Sequence, residues 1–305
     1  MPAEHTGILQ PKGFPGLPSG WTSEWETELS SDGRHNLFTM VHSKKGSQGG
    51  KTLFVVHGLG EHGGRYLHVP HYVQSMFDRV ICPDLLGHGR SEGLRGHVED
   101  FDVMVRDTAQ QIRKWGQGSE THALFHSMGG LIGLRALFQQ PDLPLASATV
   151  CAPFLGIKAK VPLVKKYAAM LLSRILGSLQ MSTGVDAATV SHDPEVVKTY
   201  QTDRLVHSKM TPRFYTELTK AQNETMMFES GIQVPVQFLV PLQDELVDPD
   251  KSQQLYERIK FRDKRLRTYP KFFHEPFNEI GKEAAFEDLM SWAAMHSSSG
   301  SRGNV

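Results

Sequence analysis

Ser127 lies in a segment with the pattern of a nucleophile elbow. A strand-like run at residues 122–126 precedes it, the turn Ser-Met-Gly-Gly follows, and an apolar helix-like run reaches residue 139. A serine on such a strand-to-helix turn exposes its hydroxyl for attack on a carbonyl group. Gly129 stands two residues after the serine, where a side chain would crowd the backbone. Phe125 stands two residues before it in place of the usual glycine, so we expect different packing there. A serine in an ordinary βα turn is the structural alternative.

A serine hydroxyl is a weak nucleophile, so the chain must also supply a base and an acid that orients the base. In this arrangement the acid and the histidine follow the serine in that order. Asp244 is the first acidic residue after the strand-like run 236–240, with Glu245, Asp248 and Asp250 as nearby competitors. His274 follows the strand-like run 265–269. We therefore predict that Ser127, Asp244 and His274 form a catalytic triad.

The strand-like run 52–56 leads directly into His-Gly-Leu-Gly at residues 57–60. A strand followed by such a flexible turn can direct a backbone N–H at the negative charge that develops on a carbonyl oxygen. We predict that the N–H groups of Leu59 and Met128 form this oxyanion hole.

The same glycines allow a second interpretation. Gly58, Gly60 and Gly63 match the dinucleotide fingerprint GxGxxG, and Asp84 follows near the position of a ribose-binding acid. A nicotinamide-dependent oxidoreductase is therefore an alternative of another class, although the hydrolase interpretation accounts for each of these residues.

Two other motif matches lack the context that their chemistry requires. Ser91 lies in a literal GxSxG at residues 89–93, but neither a strand-like run before it nor a helix-like run after it is present. The residue four positions after His274 is Asn278, so the zinc motif HExxH is incomplete. We predict that Ser91 belongs to a surface loop and that the protein uses no metal.

Short apolar runs alternate with helix-like segments along most of the chain, which predicts an α/β fold with a mostly parallel sheet and helices on both faces. The predicted core comprises residues 21–155 and 232–296. Between its two parts, residues 156–231 have helical patterns without a convincing strand and are predicted to form an inserted helical cap. Residues 1–20 and 297–305 are rich in Pro, Gly and Ser, which is typical of loose termini.

Composition excludes several classes. The 305 residues carry 33 basic and 33 acidic side chains, so a dedicated nucleic-acid binder is not expected. Two cysteines cannot form a disulfide scaffold. No apolar run is long enough to span a membrane, and the N-terminus lacks the apolar region of a secretory signal. We therefore expect a cytoplasmic protein.

Taken together, five segments resemble the monoacylglycerol lipase and lysophospholipase branch of the α/β-hydrolase superfamily. They are HGLGEHGGRY, PDLLGHGRSEGLRGHVEDF, HSMGGLIGLRAL, LVPLQDELVDP and YPKFFHEPFNE, and they keep the order of the family over residues 22–292. The departure from the pattern is Phe125.

The resemblance implies a serine hydrolase that needs no cofactor and cleaves lipid esters, most simply a monoacylglycerol, through an acyl-enzyme on Ser127. Glu61 and Arg65 match positions that line the leaving-group site in the resembling lipases, although two such residues can equally form a structural ion pair. We expect an apolar stripe containing Leu171 and Ile175 to bind the acyl chain and the cap to contact a membrane surface transiently. A lysophospholipase, a general carboxylesterase and a non-catalytic binding protein remain alternatives.

Overall fold

The computed structural model describes residues 8–47, 50–158 and 171–298. Its main sheet has eight strands in the order β1-β2-β4-β3-β5-β6-β9-β10. Strand β1 is antiparallel to β2 and β2 to β4, whereas the strands from β4 onward are parallel to their neighbours. The strands of this sheet are β1 Trp21–Leu29, β2 Asn36–Lys44, β3 Gly50–Val56, β4 Arg79–Pro83, β5 Ser119–His126, β6 Ser147–Cys151, β9 Val236–Pro241 and β10 Lys264–Tyr269.

Helices cover both faces of the sheet. All residues of β6 and β9 are buried, which requires packing on each side because neighbouring side chains of a strand point to opposite faces. Helices α2 and α3 pack against each other and against β5, while α1 and α7 pack against each other. The helices are α1 Val69–Val73, α2 Asp102–Gly116, α3 Met128–Gln139, α4 Pro194–Thr202, α5 Pro212–Thr225, α6 Pro249–Arg258 and α7 Glu283–Met295.

The predicted α/β fold with a mostly parallel sheet is confirmed, and the strand-like runs 52–56, 122–126, 236–240 and 265–269 each lie within a strand. The sequence did not identify β1 and β2. Strand β1 lies at the sheet edge and carries mostly exposed polar side chains in the run WTSEWETEL. A strand with so little buried surface lacks the apolar signal that identified the inner strands.

The chain leaves the main sheet between β6 and β9, where the cap was predicted. The described part of this stretch holds the short pair β7 Met181–Ser182 and β8 Lys209–Met210, the helices α4 and α5, and helical residues at 171–175. Residues 159–170, which include the first part of the predicted apolar stripe, lie outside the described residues. The division into core and cap stays a prediction.

At the N-terminus, residues 8–20 form no helix or strand, yet the ring of Phe14 packs 4.9 Å from the imidazole of His68. Of the predicted C-terminal tail, residues 299–305 are outside the described part. No helix in the described ranges is long and apolar enough to cross a membrane.

Candidate active site

Ser127 occupies a strained turn between the end of β5 and the start of α3. Its φ of 53° and ψ of −115° lie outside the regions that non-glycine residues favour, and such a conformation costs about 1–3 kcal/mol. Three backbone hydrogen bonds hold it: Ser127 N–H donates to the carbonyl of Cys151 at 3.0 Å, and the carbonyl of Ser127 accepts the N–H groups of Phe154 at 2.9 Å and Leu131 at 3.1 Å. A Cβ on Gly129 would lie 2.5 Å from the carbonyl oxygen of Val56. Only glycine therefore fits two residues after the serine.

Phe125 fits beneath the turn because the facing residue on α3 is also a glycine. The phenyl ring is fully buried, and a Cβ on Gly133 would come within 2.3 Å of it. The packing therefore differs from the usual pattern as expected: the strand carries the large residue, Phe125, and the helix carries the small one, Gly133. A glycine in the middle of an apolar helix was the signal for this in the sequence.

The three residues of the predicted triad meet above the sheet. The hydroxyl of Ser127 lies 2.9 Å from Nε2 of His274, and Nδ1 of His274 lies 2.6 Å from Oδ2 of Asp244. The other carboxylate oxygen, Oδ1, accepts hydrogen bonds from the backbone N–H groups of Leu246 and Val247. All three triad side chains are buried. This geometry permits proton transfer from the serine to the histidine while the aspartate fixes the ring.

Charge within this group favours an ionised acid and a basic imidazole. Burial alone would raise the pKa of Asp244, but the imidazole of His274 and the two backbone donors hold that pKa below its usual value. Burial alone would lower the pKa of His274, but Asp244, followed by Glu275 and Glu61, raises it. The base is therefore stronger than a free imidazole.

The loop that carries Leu59 lies beside the serine. A Cβ on Gly58 would be 2.9 Å from Cβ of Ser127, so the loop approaches closely only because this residue is glycine. His57 braces the loop: its Nδ1 contacts the carbonyl of Gly58 at 2.8 Å, and its Nε2 accepts from the N–H of Leu85 at 3.0 Å. Burial lowers the pKa of His57 and keeps the ring neutral.

The two predicted oxyanion donors therefore lie on elements that flank the serine. Leu59 lines the cavity above it, and Met128 is the first residue of α3, where backbone N–H groups have no partner within the helix.

Glu61 and Arg65 form a buried ion pair, and Glu275 completes the cluster. Nη1 of Arg65 lies 2.7 Å from Glu61 and 2.7 Å from Glu275, and Nη2 donates to the second oxygen of Glu275 at 2.8 Å. Burial raises the pKa of Glu61 although Arg65 opposes this effect. For Glu275, the attraction of Arg65 outweighs burial and lowers the pKa. Of the three, Glu61 and Glu275 line the cavity beside Ser127, whereas Arg65 does not.

The same carboxylates do not form a metal site. Ligand atoms of Glu61, His126 and Glu275 lie within 4.8 Å of one another. However, Arg65 already occupies both oxygens of Glu275 and one of Glu61, and the N–H of Gly58 donates to the other oxygen of Glu61 at 2.6 Å. The fixed positive charge of Arg65 at the centre of the group opposes a second cation.

The residues of the dinucleotide motif have structural roles. The buried carboxylate of Asp84 accepts the N–H groups of Gly63 and Arg90, each at 2.7 Å, and so holds two backbone turns together. A Cβ on Gly63 would lie 2.6 Å from the carbonyl oxygen of Cys82. These contacts explain the glycine and the acid without a nucleotide.

Ser91 of the GxSxG match is also structural. Its buried hydroxyl donates to the carbonyl of Asp84 at 2.5 Å and accepts the N–H of Phe38 at 2.8 Å. No proton-accepting histidine contacts this hydroxyl within the described ranges.

A cavity of about 500 Å³ opens above Ser127 and His274, within the size range of small-molecule sites. Its base carries Leu59, Glu61 and Glu275, and Tyr200 lies beside them with its ring 4.9 Å from the guanidinium of Arg65. The apolar walls come from the predicted cap and from the loops that follow β6 and β9. They consist of Met181, Val185, Val190 and Met210 from the cap, with Phe154 and Val247 from the loops. One end is therefore polar and the remainder is suited to hydrocarbon.

The prediction that Leu171 and Ile175 bind the acyl chain differs from the structure. Their side chains are 61% and 69% exposed, and neither lines the cavity. The helical stripe was interpreted as facing inward, but it faces solvent at these positions. The residues that do form the wall lie in short irregular segments and in β7 and β8, which have no helical periodicity to reveal them.

Sequence reasoning also missed Glu275, Tyr200 and His126. Burial lowers the pKa of His126 to about 3, with His274 adding to the effect, so this ring is neutral. It packs 4.9 Å from the ring of His274. His126 directly precedes Ser127 and Glu275 directly follows His274. Adjacency to the triad was therefore the available signal for these two residues, whereas Tyr200 had none.

The sheet order, the elbow and the buried Ser–His–Asp arrangement define an α/β-hydrolase. The chain belongs to the hydrolase family described as "Serine aminopeptidase, S33", whose model matches residues 48–281. Within the superfamily it lies in the branch of the monoacylglycerol lipases and is a hydrolase of the lipase and esterase type.

Relatives and solved structures agree with this assignment. An uncharacterised abhydrolase domain-containing protein of Dictyostelium discoideum is 30% identical over 79% of this chain, which spans only 26% of that longer protein. The human monoglyceride lipase is 28% identical over 79% of this chain and 82% of its own length. The crystal structure of a Paleococcus ferrophilus monoacylglycerol lipase has a TM-score of 0.74 and 29% identity, covering 81% of this chain and 95% of that one.

Proposed function

We propose that this protein hydrolyses monoacylglycerols to glycerol and free fatty acid through an acyl-enzyme on Ser127. The observation that carries the proposal is the hydrogen-bonded series from Ser127 through His274 to Asp244 at the base of a mainly apolar cavity. A nucleophile in such a cavity is suited to an ester with a long hydrocarbon chain. The similarity to the human and archaeal lipases supports a glycerol ester.

In the first step the Ser127 oxygen attacks the ester carbonyl while its proton moves to Nε2 of His274. The N–H groups of Leu59 and Met128 bind the resulting oxyanion, and one donor of this kind contributes about 3 kcal/mol to the transition state. The bond from the carbonyl carbon to the glycerol oxygen then breaks, and His274 returns the proton to that oxygen. A water molecule, deprotonated by His274, next attacks the acyl-enzyme and releases the fatty acid and Ser127.

The polar end of the cavity is where we place the glycerol. Glu61 and Glu275 line it next to His274, and the Tyr200 ring lies beside them. Each carboxylate oxygen has a lone pair besides the one that Arg65 or Gly58 uses, so Glu61 and Glu275 can still accept hydrogen bonds from the two free hydroxyls of a monoacylglycerol. Arg65 does not line the cavity, but its bonds to both carboxylates fix their orientation.

The test of the nucleophile compares two serines. Ser127→Ala should lower kcat by more than about 10³-fold and abolish labelling by a fluorophosphonate probe, with the labelled peptide of the wild type mapped by mass spectrometry. Ser91→Ala should keep the kcat of the wild type, because the Ser91 hydroxyl bonds only to backbone groups. Loss of activity in Ser91→Ala alone would contradict the proposal. A wild type that is not labelled and cleaves no ester would indicate a non-catalytic binding protein.

Release of products from defined lipids tests the substrate. We expect faster release of glycerol from a long-chain monoacylglycerol than of glycerophosphocholine from a lysophosphatidylcholine with the same acyl chain. The reverse order would indicate a lysophospholipase. Equal kcat/KM for acetyl and dodecanoyl p-nitrophenyl esters would indicate a general carboxylesterase, since an apolar cavity should favour the longer chain.

We also propose that the exposed apolar side chains between residues 171 and 181 contact a membrane surface transiently. Exposed apolar side chains on one segment favour the boundary between lipid headgroups and acyl chains.

A further inference from the structure

The backbone of Ser127 is held from one side by a loop that has its own strain. This loop follows β6, and its residue Ala152 has a φ of 45°. Two residues further along this loop, the N–H of Phe154 donates to the carbonyl of Ser127 at 2.9 Å. A Cβ on Gly130 would come within 2.8 Å of Pro153, so the loop is packed tightly against the start of α3. A conformation of this kind persists only where the surroundings determine it.

One side chain from the insertion fixes the other side of this loop. Nε2 of Gln222, on α5, donates to the carbonyl of Phe154 at 3.0 Å. Gln222 is buried, at 7% exposure, so water does not readily replace this bond. Both backbone polar groups of Phe154 are therefore bonded: its carbonyl accepts from Gln222, and its N–H donates to Ser127.

Helix α5 is itself attached to the helix that begins next to the serine. The buried Arg135 of α3 donates to the carbonyl of Ala221 at 3.3 Å and lies 3.1 Å from Glu224. The same guanidinium forms two bonds of 2.8 Å with Asp102 of α2. Residues 221 and 224 lie on either side of Gln222, so these contacts attach this part of α5 to α3.

We propose that Gln222 is a positioning residue for hydrolysis: its amide holds the Phe154 carbonyl and, through the Phe154 N–H, the strained backbone of Ser127. This inference rests on the proposed role of Ser127 as nucleophile. It assigns to α5 a function beyond covering the cavity. The insertion then contributes to the rate of attack and not only to substrate binding.

The test replaces the amide by a side chain of similar length. Gln222→Met removes the donor with little change in shape, and we expect kcat for a soluble p-nitrophenyl ester to fall about tenfold. The rate of Ser127 labelling by a fluorophosphonate should fall by the same factor. KM should stay within twofold, because misplacement of a reacting atom affects the transition state more than binding.

Thr225→Val is the matched control. Thr225 lies on the same helix and is buried, but its hydroxyl donates to Ala221 within the helix. This variant can lower stability, measured by urea unfolding, yet its kcat and labelling rate should remain within twofold of the wild type.

Gln222→Asn serves as a second variant if Gln222→Met does not fold. Its amide is one methylene too short to reach Phe154, so the same loss of kcat and labelling rate is expected. Wild-type kcat and labelling in a folded Gln222 variant would overturn the inference while leaving Ser127 as the nucleophile. A rise in KM at unchanged kcat would also overturn it. Failure of the wild type to label at Ser127 would instead overturn the proposed function, and this inference with it.

Discussion

At the scale of single residues, the imidazole of His274 lies among three carboxylates. Asp244 is bonded directly to Nδ1, and Glu275 and Glu61 act through space to raise the pKa of the ring further, against the effect of burial. A general base works only in its neutral form, so activity should appear as the pH rises through this raised pKa. Glu275 and Glu61 therefore add to the effect of Asp244 on the acid limit of activity, and they also line the cavity.

Glu275→Gln tests this effect. Removal of one negative charge destabilises the imidazolium, so the pKa of His274 should fall. The acid limb of the profile of kcat/KM against pH should then move to lower pH. Arg65 keeps its bond to Glu61 in this variant, and its less compensated positive charge shifts the limb in the same direction.

Glu245→Gln is the control for that profile. Glu245 also lines the cavity and directly follows Asp244, but its side chain is exposed, where solvent screens its charge. The acid limb of Glu245→Gln should match that of the wild type. A limb that stays in place, or moves to higher pH, in Glu275→Gln would contradict the electrostatic role of Glu275.

At the scale of the elements, the contact between β5 and α3 depends on one large and one small residue. Gly133 costs helix α3 about 1 kcal/mol relative to alanine, and the gain is space for the Phe125 ring. The usual elbow has a glycine on the strand. In this chain the glycine that permits the close approach of strand and helix lies on the helix instead. Ser127 and Gly129 stand where the elbow pattern requires them, so the exchange does not alter the turn itself.

A double-mutant cycle measures this exchange. Gly133→Ala should lower the free energy of unfolding by about 1–3 kcal/mol through overpacking, and Phe125→Ala by about 3–5 kcal/mol through loss of a buried ring. In the double variant the new methyl group occupies part of the vacated space. Urea unfolding should therefore show a loss smaller than the sum by about 1–3 kcal/mol. Additive losses would mean that the two positions are independent.

At the scale of the whole molecule, exposed apolar surface is concentrated on one segment. Five large apolar side chains between residues 171 and 181 are each more than 40% exposed: Leu171, Ile175, Leu176, Leu179 and Met181. The formal net charge is zero, so overall attraction to an anionic surface is absent. The proposed membrane contact therefore depends on burial of these side chains in lipid.

The double variant Ile175→Ser, Leu179→Ser should bind phosphatidylcholine vesicles at least about tenfold more weakly in a sedimentation assay, because burial of one such side chain contributes about 1.5–3 kcal/mol. Its kcat on a soluble ester should not change, since neither residue lines the cavity.

Met227→Ser is the matched control for the vesicle assay. Met227 and Ile175 are both 69% exposed, and Met227 lies outside the segment. Equal loss of vesicle binding in Met227→Ser, or no loss in the double variant, would contradict a contact through residues 171–181.

The inner strands, the order of the motifs and the residues of the expected triad could be predicted from the sequence alone. Each of these is a local property. An apolar run identifies a covered strand, and the residues that follow the ends of parallel strands meet at one edge of the sheet. Because a strand precedes each of Ser127, Asp244 and His274, their proximity could be predicted from the sequence.

The other side chains around Ser127 come from distant parts of the chain and could not be predicted in this way. Arg65 meets Glu275 across 210 positions of the chain, and Gln222 reaches Phe154 across 68. The helical stripe at residues 171–179 was expected to face the cavity, yet Leu171 and Ile175 face solvent. Periodicity shows that a helix has an apolar face, but it does not specify what that face contacts. The direction of a face and the pairing of distant residues depend on how the elements pack together, and local sequence patterns do not specify that packing.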